Sequence, residues 1–129
     1  MHLIRNAILP ILAAAVWISI SEFVRNEYLF KSYWISHYEA LGLTFPSDPI
    51  NGAVWGIWSL VFAVVIYVLL QKFPFWQTVL LAWVIGFILM WLVVANLSVL
   101  PIGLLYFAVP LSALEVIVAA WIIQVLGKN

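Results

Sequence analysis

Four long apolar runs, broken by two short polar turns and one long polar connection, dominate the chain. They fall at about residues 4–24, 50–71, 75–97 and 101–126. A helix rises about 1.5 Å per residue, so each run is close to or beyond the roughly 20 residues that cross a hydrocarbon core of about 30 Å. In lipid the backbone must satisfy its own hydrogen bonds, and such runs therefore adopt helices. The pattern predicts an all-α membrane protein: an antiparallel four-transmembrane-helix bundle with an amphipathic interfacial segment, about 26–41, between helices 1 and 2. Residues 1–129 read as a single integral membrane domain.

The first run opens with Arg5 and is apolar from Ala7 to Ile20, with Pro10 as a predicted kink. It also has signal-peptide features, with Ser19-Ile20-Ser21 as a small-residue cleavage site, and is read here as a span. In the second run Asn51 is a candidate cap, and Gly52, Gly56, Ser59 and Ala63 form a small-residue stripe suited to close helix packing. Lys72-Phe73-Pro74 is a tight turn, and Pro74 starts the third run, where Ala82 and Gly86 are the small pair. Asn96, Ser98 and Pro101 close a hairpin into the fourth, making helices 3 and 4 neighbours.

Residues 24–49 hold most of the charge outside the spans, including Arg25, Glu27, Lys31, Glu39 and Asp48. Leu29, Phe30, Trp34, Tyr38 and Leu41 recur at helical steps, and the aromatic residues suit the headgroup level. Gly42 is placed to end this helix, with Pro46 and Pro49 in the link beyond it.

Composition narrows the functions. The 129 residues are 67 % hydrophobic and 8 % charged, more apolar surface than a soluble domain of this length can hide. The partner is the lipid bilayer. Five basic and five acidic residues cancel, which removes the electrostatic case for nucleic acid. Without cysteine there is no disulfide, thiolate metal site or cysteine nucleophile. Gly-rich phosphate loops, His-Glu-x-x-His and nucleophile elbows are absent. His37, Glu39 and Asp48 give only loosely spaced ligands, and His2 and His37 lie outside the spans, so neither metal nor haem nor another cofactor is expected.

One acid stands apart. Glu115 lies near the centre of the fourth run, where a carboxyl costs roughly 3 kcal/mol unless it faces protein or water. Ala108, Ser112 and Ala119 share its helix face. Trp83 should reach about the same depth, where its indole N–H would find a partner in Glu115, although such tryptophans are more often lipid-facing bulk. Glu22, Arg25, Asn26, Asn51 and Asn96 fall at helix ends on one side of the bundle, which fits a vestibule leading toward Glu115 or, more simply, helix ends that are polar because they reach the headgroups. Glu115, Ser112, Trp83, Glu22, Arg25, Asn26, Asn51 and Asn96 are the candidate site for a proton, a small cation or a lipophilic ligand.

Ala15-Val16, Ser19 and Glu22 repeat the spacing of Ala108-Val109, Ser112 and Glu115. This fits a remnant inverted repeat or a coincidence among residues common in membranes, and coincidence is the simpler reading. Arg5, Lys72 and Lys128 on one side, against Arg25 and Lys31 on the other, predict an N-in, C-in protein of the cytoplasmic (inner) membrane. So small a bias leaves dual topology open. Three functions fit: a transporter or channel-like homo-oligomer using Glu115, a non-catalytic membrane scaffold or accessory subunit, and a lipid-modifying enzyme using the outer loop. No catalytic constellation is assigned.

Overall fold

The computed structural model describes residues 4–127, so His2 and Lys128 lie outside the described residues. Four helices are long and apolar enough to cross a membrane: α1 (Arg5–Leu29), α3 (Pro49–Lys72), α4 (Phe75–Asn96) and α5 (Ile102–Leu126). A shorter helix, α2 (Lys31–Ala40), follows α1. Among the described residues there is no strand.

The first helix is longer than its apolar run. A charged stretch beginning at Glu22 looks like an exit from the membrane, yet the helix continues to Leu29. Residues 26–29 thus belong to α1, and the segment that follows it is confined to Lys31–Ala40. The continuation is a wide, π-helical turn, Val24–Leu29, closed by the Phe30 N–H donating to the Arg25 carbonyl at 2.8 Å. A second wide turn, Ile4–Ile8, precedes Pro10, where the missing N–H interrupts the regular ladder. A third, Val84–Ile88, lies inside α4.

One apolar core takes residues from all four long helices, among them Ile18, Phe62, Ala82, Phe87 and Val116. Gly86 is required there: a Cβ on it would meet the Phe62 ring at 2.5 Å. The small stripe of α3 behaves differently. Ser59 and Ala63 are fully buried, but Gly52 and Gly56 have nothing within 4 Å, so no close approach depends on them. A smaller cluster of Phe30, Leu100, Leu104 and Ala108 joins the end of α1 to the start of α5.

Gly42 ends α2 at φ +76°, a conformation glycine adopts without strain, and the Leu43 N–H returns to the Tyr38 carbonyl at 2.9 Å. Phe45 then folds back, stacked on Trp34 with ring centroids 5.7 Å apart and edge-on to Tyr38 at 5.2 Å. At the start of α3 the Asp48 N–H donates to Asn51 Oδ1 at 3.0 Å. This contact satisfies a backbone donor beside the helix end.

Candidate functional site: a buried Glu22–Arg25–Glu115 cluster

Trp17, Ser21 and Arg25 are spaced by four residues, which places them on one face of α1. All three meet Glu115 of α5. The Trp17 indole donates to the Glu115 main-chain carbonyl at 2.9 Å. The Ser21 hydroxyl donates to Glu115 Oε1 at 2.6 Å, and Arg25 Nη1 stands 3.4 Å from the same oxygen. Glu115 itself is wholly buried.

Arg25 also serves its own helix. Its Nη2 donates to Glu22 Oε1 one turn back, and both side chains are buried. The other face of the guanidinium lies 5.2 Å from the centre of the Phe87 ring, on the wide turn of α4. Carboxylates at its N–H groups and an aromatic face beside it are the partners that suit a guanidinium in apolar surroundings. Asn26 extends the network outward: its Nδ2 donates to the Glu22 carbonyl and to Glu22 Oε2, each at 3.0 Å. Its Oδ1 accepts from the Trp34 indole of α2 at 3.2 Å. A polar chain therefore runs from the middle of α5 to α2.

Two buried polar atoms of the cluster have no hydrogen-bond partner, Arg25 Nη1 and Glu115 Oε2. The 3.4 Å approach of Nη1 to Glu115 is an ion-pair distance without hydrogen-bond alignment. Two carboxyls share one guanidinium, so the cluster is neutral when it holds one proton or one monovalent cation besides Arg25. A cavity of about 220 Å³ adjoins it, lined by Ser21, Arg25, Glu115 and Trp17. Its remaining walls are apolar side chains of α1 and α5.

The other candidates are placed elsewhere. Trp83 does not reach Glu115; its indole donates to Ser112 Oγ at 2.9 Å, and that hydroxyl donates to the Val109 carbonyl at 3.0 Å. Ser112 is buried one turn before Glu115 and forms a separate polar contact between α4 and α5. Asn51 is occupied at the start of α3, and Asn96 is exposed at the end of α4. The vestibule thus resolves into Glu22, Arg25 and Asn26 at the cluster, with the two other asparagines apart from it. His37 is half-buried, with Nε2 2.8 Å from the Ser98 carbonyl, beside an open depression of about 500 Å³. Among the described residues, no three His, Cys, Asp or Glu side chains gather as metal ligands.

Trp17, Ser21 and Phe87 adjoin the cluster and were not among the candidate residues. The four-residue spacing of Trp17, Ser21 and Arg25 was the available signal for the first two. Phe87 carried none, because an aromatic residue in an apolar span is ordinarily bulk. Compared with known proteins, the chain matches no family model, no curated protein and no solved structure.

Proposed function

We propose that this chain is a small integral membrane protein of the cytoplasmic membrane that works as a transporter or channel-like homo-oligomer, with Glu115 as its proton-, cation- or ligand-binding group. The observation that carries this reading is the buried cluster of two carboxyls and one guanidinium, with an unpartnered atom on each of Arg25 and Glu115 beside a cavity. Polar groups left unsatisfied in a buried site cost free energy, and a bound group that completes them recovers it. An antiparallel four-helix bundle as a single membrane domain is part of the proposal. It is supported by Gly127 packing beside Asn6 and Pro10 while Arg25, further along α1, meets Glu115, earlier on α5.

Glu115→Gln keeps the shape and loses the charge. It should fold normally and abolish proton-coupled or cation uptake in liposomes, whereas Glu115→Asp should alter the pH dependence without erasing uptake. The N-in, C-in orientation is checked by a cysteine in the 71–74 turn, labelled only from the cytoplasmic side. Equal labelling from both sides would mean dual topology.

A non-catalytic scaffold is the second reading, favoured by the three contacts that α1 makes on Glu115. It expects Glu115→Gln to match wild type in uptake and stability, and only Glu115→Leu to loosen the helices.

A further inference from the structure

The cavity beside the cluster is a groove between α1 and α5 that faces outward. Four residues of its wall are exposed along their helices: Ile20 by 55 %, Val24 by 43 %, Leu29 by 52 % and Leu114 by 53 %. In spans of this composition such faces meet hydrocarbon, so the groove opens sideways to lipid and its polar end is the Arg25–Glu115 pair. At about 220 Å³ it is smaller than the roughly 300–1,000 Å³ of sites for drug-sized ligands.

The two unpartnered atoms, each buried at the groove's inner end, define the chemistry of an occupant. A guanidinium N–H can only donate, so Arg25 Nη1 requires an acceptor. Glu115 Oε2 accepts when ionised and can donate when protonated. A hydroxyl or carboxylic acid head serves both, accepting from Arg25 and donating to Glu115. An ammonium has no acceptor for Arg25 Nη1, and an anion adds negative charge to a cluster already holding two carboxyls and one guanidinium. We infer that the α1–α5 groove binds a neutral, single-chain amphiphile that approaches through the hydrocarbon, its oxygen head turned to Arg25 Nη1 and Glu115 Oε2 and its chain along Val24, Leu29 and Leu114. This rests on the reading of Glu115 as a binding group and names the ligand class for that site.

The test is photolabelling of the full chain in nanodiscs with a decanol bearing a diazirine next to the alcohol end. Labelled peptides are mapped by mass spectrometry, with 1-decanol, decane and decylammonium as competitors. Labelling should concentrate on residues 20–29 and 111–115, and 1-decanol should displace it at least about tenfold more effectively than decane or decylammonium. Arg25→Met, which removes the donor, and Leu114→Trp, which narrows the mouth, should each cut labelling by about tenfold. If Arg25→Met does not fold, Leu114→Trp still decides the matter.

Equal competition by decane, or labelling spread evenly over the four spans, overturns the inference. So does protection of both segments that is relieved on dissociation to monomers, which would make a second copy the occupant. If decanol fails to label the groove while Glu115→Gln still abolishes uptake, the ligand class falls and the reading of Glu115 stands. If Glu115→Gln matches wild type in uptake as well, both fall.

Discussion

Arg25 is shared by two carboxyls from different helices: its Nη2 bonds Glu22 one turn back on α1, and its Nη1 stands 3.4 Å from Glu115 Oε1 on α5. Neither acid has another cationic partner in the cluster. The arginine is thus the common counter-charge of a helix pair, and its loss is felt twice.

Arg25→Met should destabilise the protein by about 3–5 kcal/mol, the cost of leaving a buried charge unpaired. Arg25→Lys should lie between, since an ammonium cannot present two nitrogens in a fixed fork. Adding Glu22→Gln and Glu115→Gln to Arg25→Met should recover most of the loss. Unfolding in mixed micelles measures all of these, and an unchanged midpoint for Arg25→Met would remove the cluster from the stability argument.

Ser21→Ala deletes the 2.6 Å hydroxyl bond to a wholly buried carboxyl oxygen. Hydrogen bonds between membrane helices average roughly 0.6 kcal/mol, but a buried polar atom left without its partner costs about 1–3 kcal/mol. The loss should exceed the membrane average. Ser19→Ala, at a half-buried position outside the cluster, is the matched control and should change little.

The glycines separate by their surroundings. Gly86→Ala drives a methyl into the Phe62 ring, and overpacking of this kind costs about 1–3 kcal/mol. Phe62→Leu should relieve part of it. Gly52→Ala and Gly56→Ala have open space and should be neutral or stabilising by about 0.5–1 kcal/mol. The same unfolding assay orders the three.

The spans and the burial of Glu115 were legible in the sequence, because apolar run length and an isolated acid are signals one helix carries alone. The course of α1 past residue 24 was not. Charges there suggest solvent, and only the pairing of Glu22 with Arg25, and of Arg25 with a distant acid, lets them stay buried. Trp83 shows the resolution of depth counting. Its indole needed a partner and found one, but at Ser112, one turn from the acid expected. The idle Gly52 and Gly56 show that a small-residue stripe permits close packing without causing it.

Trp34→Phe keeps an aromatic ring against Phe45 but removes the N–H that reaches Asn26 at 3.2 Å. Asn26 Oδ1 then loses its donor, and α2 one of its polar ties to α1, the Glu27–Lys31 ion pair at 3.2 Å remaining. Amide hydrogen exchange over 31–40 should quicken while the spans keep their protection. Unchanged exchange over 31–40 would mean that the Trp34–Asn26 bond does not hold α2.

The wide turn at Val24–Leu29 gives the chain slack in its length. A π-helical turn holds about one residue more than an α turn, while a deletion in the regular α-helical part of α1 would swing every later side chain by about 100°. Tyr28, 74 % exposed, sits in that turn after Arg25 and before the buried Phe30. Removing it would let the turn close as ordinary α-helix, with Arg25 still facing Glu115 and Phe30 still within reach of Leu100 and Leu104. Chains of this kind should therefore lose a residue here or in the wide turn at Ile4–Ile8, and almost nowhere else along α1.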